Sequence, residues 1–391
     1  MSRALLSSLL AGLILLSPCA VRAQALQDIH VLSSLSGSGA FLGNQSHDTL
    51  LLAEKYLNDT GDIHGKKLRF VFHDDQSNPQ IAVQLLGEVM AARPAVIMGS
   101  NIVATCSAMQ PLLAQGPLAY CFSAGQQPPR GSFMLSAGAS TLSQTVALVR
   151  YFRLEGWTRL ALISSTDASG QDGDRNMAET LALPENKDVK LVVHPHFNLS
   201  DVSVAAQIEQ VRAASPQALI AWTIGTPAAT IFRGYAQAGL AMPVGSSGGN
   251  MTYAQMKQFA SFLPKALYLV NTEWTAAGDA RLKLDGRVAA AQKIYYAAMD
   301  AAGRKPDAAA VVSWDPALLL AGALEALPDG ASAEAVRSHL AHFKGAGVHG
   351  VYDFEKEPQR GIGTEDVIVT RWAPDQDRWR AVSQPGGTPL E

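Results

Sequence analysis

A repeated alternation of short apolar segments with amphipathic helical segments is the feature that most constrains how this chain can fold. Short apolar runs bounded by Gly- and Ser-rich stretches are typical of buried strands, and longer segments with a period of about 3.6 residues are typical of helices. In the first third of the chain we predict strands over residues 29–34, 67–73, 95–98 and 118–123, with helices over 42–57 and 79–92 and one ending near 115. This alternation predicts βαβ units and a parallel sheet covered on both faces.

The same alternation begins again near Ser140 and predicts a second α/β unit. It comprises a helix up to Gly156, strands over 160–164, 189–194, 218–224 and 267–270, and helices over 205–214, 228–239 and 253–262. The rest of the chain differs, because helical stretches at 285–302 and 309–327 follow one another with no strand between them. The segments 351–354 and 367–382 are strand-like, and the second of them contains a turn at 374–377. We predict two α/β lobes, extra helices and a terminal hairpin that returns to the second lobe.

Residues 1–23 have the composition of a secretory signal peptide. Arg3 supplies the positive start, residues 4–16 are almost continuously apolar, and Ala23 ends a cleavage motif before Gln24. The apolar run is shorter than a membrane anchor requires. We therefore expect export and cleavage near Ala23.

Charge and cysteine content limit the partners and the compartment. The net charge is −3 and no basic run occurs, which argues against a nucleic acid as partner. Only Cys106 and Cys121 remain after the signal peptide is removed. In an oxidising compartment this pair predicts one disulfide bond, and two buried free thiols are the alternative.

The stretch SSLSGSGAFLG (33–43) is a Gly- and Ser-rich loop between a strand and a helix. Its glycines give G-x-G-x-x-x-G, which departs from the dinucleotide fingerprint, and no Lys-Ser/Thr pair follows to make a phosphate loop. We predict no nucleotide and no other cofactor here. The loop is instead expected to offer backbone N–H groups to another negative group.

Two pairs of ionisable residues invite a catalytic or metal-binding interpretation. Asp74 and Asp75 are neighbours on a strand and so point to opposite faces, and the following Asn78-Pro79 fits the start of a helix. His194 and His196 fall on one side of a strand, but no cysteine or carboxylate lies within a few residues to complete a metal site. We predict structural roles for both pairs and no metal.

The stretch GSSGG (245–249) fits the nucleophile elbow of serine hydrolases. Ser247 would be the nucleophile, Asp315 the acid, and His342 or His349 the base. A secreted serine hydrolase is therefore an alternative function. We favour a non-catalytic role because no HGGG-type oxyanion motif precedes the elbow, which also falls late in the chain.

Several ordered motifs resemble those of a known family. They are LSGSGAFLG, FVFHDDQSNPQIAV (70–83), AVIMGS (95–100), LEGWTRLALIS (154–164), GYAQAGLAMPVGS (234–246) and GVYDFEKEPQR (350–360). Together they resemble the type I periplasmic solute-binding proteins of ABC importers, in the leucine/isoleucine/valine-binding family, over essentially the whole mature chain.

The resemblance implies a type I periplasmic binding fold, in which two doubly wound parallel-sheet lobes are joined by three hinge crossovers. We place the crossovers near residues 144, 274 and 347. Lobe 1 then comprises 24–144 and 275–346, and lobe 2 comprises 145–274 and 347–391. The family implies a monomeric, non-enzymatic periplasmic receptor that closes on a small molecule and presents it to an inner-membrane ABC permease. A sensing partner of a membrane signalling protein could use the same fold.

Cleft-wall candidates follow from the strand ends. In the first lobe they are Ser36, Phe41, Ser100, Asn101, Val103, Ser123, Ala124 and Gly125, and in the second they are Ser169, Trp222, Thr223, Ser247 and Asn250. In the family, a hydroxyl and backbone N–H groups hold a ligand carboxylate, and the residues at or near those positions are Ser100, Asn101, Ser123 and Gly125. Taken singly, each serine also fits an ordinary helix N-cap.

The sequences of the second-lobe loops indicate which class of carboxylate we expect the cleft to bind. Amino-acid binders of the family hold the ammonium group with an acidic side chain and often an aromatic one, but here Ser169 occupies the aromatic position and no carboxylate occurs in 244–249. A buried ammonium without a counter-charge is costly unless Asp167 or Glu273 approaches it. With Phe41, Val103, Trp222 and Met251 as apolar candidates, we predict an aromatic or other apolar acid in preference to a branched-chain amino acid.

Overall fold

Two sheets organise the molecule, a computed structural model that describes residues 25–391. The predicted signal peptide and its predicted cleavage site lie outside the described residues. The first sheet and its helices comprise β1 (Leu26–Ser33), α1 (Ala40–Thr60), β2 (Lys67–Asp74), α2 (Pro79–Met90), β3 (Val96–Met98), α3 (Val103–Met109), β4 (Leu118–Cys121) and β5 (Met134–Ser136). The strands are parallel in the order β2-β1-β3-β4-β5.

Local sequence signals explain the elements of this first unit. The Asn78 side chain accepts hydrogen bonds from the amides of Gln80 and Ile81, and Pro79 occupies the first turn of α2, so the predicted helix start is confirmed. The central strands β3 and β4 are buried on both faces, which explains their continuous apolar sequences, whereas β1 is buried mainly over its second half.

The second sheet is built from the middle of the chain. Its elements are α4 (Thr141–Leu154), β6 (Arg159–Ser165), α5 (Ala168–Ala182), β7 (Lys190–Val193), β8 (His196–Phe197), α6 (Ala205–Ala214), β9 (Ala218–Trp222), α7 (Thr226–Gln237), β10 (Val244–Ser246), α8 (Tyr253–Gln258) and β11 (Leu267–Thr272). The strands β11-β10-β9-β6-β7 are parallel neighbours, and β8 pairs with the end of β6. The restart of the α/β pattern near Ser140 is therefore confirmed.

The last part of the chain serves both units. It comprises α9 (Gly286–Ala301), α10 (Ala308–Ala326), α11 (Ala333–Ala341), β12 (Lys344–Ala346), β13 (Val351–Asp353), β14 (Val367–Ala373) and β15 (Arg378–Ala381). Helix α10 packs on α1 of the first unit, whereas β14 and β15 extend the second sheet as the predicted antiparallel hairpin. Among the described helices, α10 alone is long and apolar enough to cross a membrane, and 72% of its apolar window is buried inside the molecule.

The chain changes units three times, and the predicted lobe boundaries stay predictions. It passes from the first sheet to the second between β5 and β6, and leaves the second sheet after β11. Near the third change, the Gln359 carbonyl oxygen accepts a hydrogen bond from the Ser136 amide at 2.9 Å, so this segment is still attached to the first unit.

The predicted disulfide bond is confirmed. Cys106 on α3 and Cys121 on β4 are bonded, with their Cα atoms 6.3 Å apart. Their sulfur atoms lie 3.3 and 3.5 Å from the Ser100 carbonyl oxygen. The bond therefore lies directly beneath the loop that follows β3.

Candidate functional site

A cleft lies where the carboxyl ends of the two sheets face each other. It encloses a cavity of about 70 Å³. The first wall is formed by the loops after β3, β4 and β5 together with the start of α10; the second is formed by the starts of α4 and α5 and the loops after β9 and β10. Ligands of parallel α/β sheets bind at these strand ends, so the cavity is the candidate ligand site.

The cavity brings together eight of the predicted site residues. They are Asn101, Val103, Ser123, Ala124, Gly125, Ser169, Trp222 and Ser247. Five predicted residues do not line it, namely Ser36, Phe41, Ser100, Thr223 and Asn250. Their contacts assign them to the support or the rim of the cleft.

Ser36 belongs to the opening loop, whose anion is a carboxylate of the same chain. The Asp74 side chain accepts hydrogen bonds from the Leu35 amide at 3.0 Å, the Ser36 amide at 3.1 Å and the Ser36 hydroxyl at 2.7 Å. Although burial raises the pKa of Asp74, the hydrogen bonds from Ser36, Gln76 and Leu35 lower it below its usual value. The Gly- and Ser-rich loop is thus fixed by an internal anion.

The other four residues support the walls. The Phe41 ring packs against Gly225 across the rim of the cleft. Ser100 is fully buried, and its carbonyl oxygen accepts a hydrogen bond from the Phe122 amide. Asn250 joins two loops of the second wall, since it accepts from the Gly225 amide at 2.9 Å and donates to the Thr223 carbonyl oxygen at 2.7 Å.

Arg360, which sequence reasoning missed, lies buried behind the first wall. Its guanidinium donates to the carbonyl oxygens of Ala124 (3.2 Å), Gln126 (2.6 Å), Ala137 (3.2 Å) and Gly138 (3.0 Å). Burial lowers its pKa to about 10, so it remains charged at neutral pH. A positive charge therefore lies directly behind the loops after β4 and β5.

Asp172 is a carboxylate in the second wall, supplied by α5 and not by the 244–249 loop, which has none. It is 1% exposed and lines the cavity. Its Oδ1 accepts hydrogen bonds from Gln127 at 3.0 Å and Asn176 at 2.9 Å, whereas the buried Oδ2 has no partner among the described residues. Burial raises the pKa of Asp172. Asp172 follows Ser169 by three residues on α5, and this helical spacing is the signal that would have identified it.

The two carboxylates that were expected to approach an ammonium group are held elsewhere. Asp167 caps α5, where it accepts hydrogen bonds from the amides of Ser169 and Gly170, both at 3.3 Å. Glu273 is buried beyond β11 and does not line the cavity. Burial, and after it the charges of Asp366 and Asp285, raises the pKa of Glu273 to about 8.

The residues of the hydrolase alternative do not form a triad. The Ser247 hydroxyl accepts a hydrogen bond from the Gly249 amide. The His349 ring contacts the Thr272 hydroxyl at 2.6 Å and the Val311 carbonyl oxygen at 3.3 Å, and Asp315 bonds to the His349 backbone amide and not to its ring. His342 is exposed and pairs with Glu355. The GSSGG stretch is a loop of the cleft wall.

The histidine pair has a carboxylate partner that sequence distance concealed. Asp174 of α5 lies 2.8 Å from the Nε2 atoms of both His194 and His196. The folded chain thus gives both histidines a carboxylate, although none lies within a few residues of them in sequence.

Two parallel α/β units that direct their strand ends into one shared cleft define a bilobed ligand-binding protein. The sequence profile of the periplasmic binding protein family matches residues 28–377, so the chain belongs to this family of periplasmic substrate-binding receptors. The resemblance to type I periplasmic binding proteins is thereby confirmed at the level of family and fold.

Solved structures agree with this fold. An extracellular ligand-binding receptor from Rhodopseudomonas palustris HaA2 is 20% identical, with a TM-score of 0.77 over 92% of this chain and 100% of that one. A solute-binding protein of an R. palustris ABC transporter, in complex with benzoate, is 17% identical, with a TM-score of 0.74 over 93% and 97%.

A third similar structure is LivJ, the branched-chain amino acid transporter substrate-binding protein of Streptococcus pneumoniae, in complex with isoleucine. It is 14% identical, with a TM-score of 0.74 over 90% of this chain and 97% of that one. No curated protein matches the chain by sequence. Because the benzoate-bound and isoleucine-bound structures are equally similar, the fold does not assign this chain to the leucine/isoleucine/valine-binding subfamily.

Proposed function

We propose that this protein is an exported, monomeric receptor that captures a small organic carboxylate in the cleft and delivers it to an ABC permease of the inner membrane. The observation that carries the proposal is the peptide group between Ala124 and Gly125. Its carbonyl oxygen accepts a hydrogen bond from Arg360, and its N–H belongs to a residue that lines the cavity.

The geometry of that peptide favours an anion. In a trans peptide the C=O and N–H groups point in opposite directions, so the Gly125 N–H points away from Arg360. The amides of Ala124 and Gly125 donate to no other residue in the part of the chain that the structure describes. A guanidinium on the carbonyl side polarises the peptide and strengthens its N–H as a donor. The Ser123 side chain lines the same stretch of wall.

The rest of the cavity suits an apolar body with a hydrogen-bond donor close to its carboxylate, because Asp172 Oδ2 lies beside Gly125. Val103, Phe122 and Trp222 supply apolar surface. Asp172 offers the buried Oδ2 to a donor. Its other oxygen already receives Arg175, at 3.3 Å, as well as Gln127 and Asn176. Asp172 therefore already has a cationic partner. A neutral hydroxyl can satisfy its Oδ2, and a second positive charge, such as that of an ammonium group, is not required.

We therefore favour an aromatic or other apolar carboxylate, with hydroxylated acids bound more tightly, over a branched-chain amino acid. Thermal unfolding of the protein with matched pairs tests this preference. The pairs are 4-methylpentanoate with leucine, 3-phenylpropanoate with phenylalanine, and benzoate with 2-hydroxybenzoate. A ligand present at 100 times its dissociation constant should add about 2.7 kcal/mol to the free energy of unfolding. Stabilisation by leucine and isoleucine, but not by the deaminated acids, would contradict the proposal.

A substitution in the first wall tests the place of binding. A Cβ atom on Gly125 would lie 2.9 Å from Val103 Cγ2 and 3.2 Å from Asp172 Oδ2, so Gly125→Leu fills the cleft between the walls. We expect it to weaken binding of the acid identified above at least tenfold. Gly87→Leu, on the exposed face of α2 with open space around it, is the matched control. Equal binding by both variants would place the ligand elsewhere.

A further inference from the structure

A cluster of two imidazoles and a carboxylate lies outside the cleft, at the β7–β8 edge of the second sheet. His194 Nε2 is 2.8 Å from Asp174 Oδ1, and His196 Nε2 is 2.8 Å from Asp174 Oδ2. The three potential ligand atoms all lie within 4.8 Å of one another. None of these residues lines the cavity.

The local fold produces this convergence. Strand β7 pairs with the start of β6, and β8 pairs with its end. Pro195 separates the two short strands, and the two histidine rings lie side by side with centroids 4.3 Å apart. Asp174 follows Asp172 by two residues on α5, a rotation of about 200° around the helix axis. Asp172 therefore faces the cleft, and Asp174 faces the histidines.

We propose that Asp174, His194 and His196 form a binding site for a divalent transition-metal ion, with Zn²⁺ the best match. Two imidazole nitrogens and one carboxylate oxygen are a common ligand set for zinc. Zinc–ligand bonds of about 2.0–2.1 Å in tetrahedral geometry place ligand atoms roughly 3.3 Å apart. The 2.8 Å contacts join each imidazole to a different oxygen of Asp174, and the three ligand atoms lie within 4.8 Å of one another, so adjustments of about 0.5–1.5 Å bring them to this spacing.

The surroundings leave room for the ion. The His196 side chain is 45% exposed, so solvent can occupy a fourth coordination position. The Ser164 hydroxyl lies 3.0 Å from His194 Nε2, the atom that would bind the ion, so this hydroxyl has to turn away when the ion binds. A simple hydrogen-bonded pair needs one histidine, as His342 and Glu355 show. In this cluster, by contrast, the Nε2 atoms of two different histidines both contact one carboxylate. Mg²⁺ and Ca²⁺ prefer sites made of oxygen ligands alone, so they should bind poorly.

Calorimetric titration with ZnCl₂ tests the site. The exported protein is purified from the periplasm without an affinity tag, dialysed against a chelator and then against buffer. It is titrated without any organic acid, so the result is independent of the proposed carboxylate pocket. We expect one equivalent of Zn²⁺ to bind through this cluster, no comparable binding of Mg²⁺, and X-ray absorption that shows two imidazole ligands. The absence of stoichiometric Zn²⁺ binding overturns the proposal.

Variants assign the binding to these residues. His196→Gln and Asp174→Asn should each weaken Zn²⁺ binding roughly tenfold or more. Mutation of a residue that only hydrogen-bonds to a metal ligand can already cause a loss of this size. His342→Gln removes an exposed, carboxylate-paired histidine elsewhere and should leave binding unchanged. Circular dichroism checks that each variant is folded. Undiminished binding by both cluster variants, or a loss caused by His342→Gln, assigns the ion to another site and overturns the proposal.

Discussion

Arg360 is a buried cation whose four hydrogen-bond acceptors are all backbone carbonyl oxygens. Lysine would keep the charge but not the planar fork that reaches two loops. We expect Arg360→Lys to lower the free energy of unfolding by about 2–4 kcal/mol, because buried carbonyl groups lose their donors. It should also weaken binding of the carboxylate ligand, because the peptide at Gly125 is no longer held and polarised.

Urea denaturation and calorimetry of the same preparations measure both effects. Arg371→Lys is the matched control, since Arg371 is exposed and donates to a single carbonyl oxygen, that of Lys265. Equal stability of the Arg360 variant and the control would show that the four contacts contribute little to folding.

Glu273 should make stability depend on pH. Its pKa in the folded protein is about 8, above the usual value near 4.3. Between these values the folded state retains a proton that the unfolded state has lost, so stability falls as the pH rises from about 5 to 8. Glu273→Gln removes this titration and should raise the free energy of unfolding at pH 9 by about 2–4 kcal/mol, with little change at pH 4.

Denaturation at pH 4, 7 and 9 measures the difference between the variant and the original chain. Other buried acids titrate in both proteins, and the difference isolates Glu273. Glu179→Gln, on an exposed position of α5, should show the pH dependence of the unchanged chain. A Glu273 variant that also shows it would mean that this carboxyl group has an ordinary pKa.

At the scale of elements, the buried strands could be predicted and α5 could not. Strands such as β9 are apolar throughout because both faces are covered. Helix α5 carries Gly170 and Gly173, which lower its helix propensity. Both are required by close packing: a Cβ atom would collide with the Ser165 carbonyl oxygen at Gly170 and with the Trp222 ring at Gly173. The sequence signal was therefore weak where tertiary packing was tightest.

The residues of the candidate site also divide into those that could be predicted from the sequence and those that could not. Residues at or just beyond the ends of strands, such as Ser123, Trp222 and Ser247, could be assigned to the cleft from the βα pattern alone. Asp172 was missed together with its helix. Arg360 was missed because its partners are more than two hundred positions away in sequence. Contacts between residues so far apart in sequence depend on how the two units assemble. Local sequence patterns do not encode that assembly.

The disulfide bond joins two elements of the first wall and should stabilise the first unit. It closes a loop with a sequence separation of 15 residues, for which the chain-entropy model gives about 3 kcal/mol. Cys106→Ala combined with Cys121→Ala should lower the free energy of unfolding by about that amount. Titration of thiols in the unfolded, non-reduced protein should find neither cysteine free. Two free thiols, or an equally stable double variant, would contradict this prediction.

At the scale of the whole molecule, the two walls touch each other in this conformation. Gln127, from the first unit, donates to Asp172 at 3.0 Å and to Asn176 at 3.4 Å on α5 of the second. The Phe41 ring packs on Gly225. We expect a ligand to enter when these contacts open and to stabilise the closed form by contacting both walls.

Gln127 therefore offers a test of closure with a side chain that does not itself line the cavity. Gln127→Ala removes the bridge, lowers the population of the closed form, and should weaken binding of the carboxylate ligand about two- to tenfold, since apparent affinity scales with the competent fraction. Small-angle scattering should show a larger radius of gyration for the variant without ligand and equal radii at saturation. Gln84→Ala, which removes an exposed contact with Glu88 within α2, should change neither quantity. If Gln127→Ala leaves both affinity and radius unchanged, closure does not depend on the Gln127 bridge, and the contacts at Phe41 would have to hold the walls together.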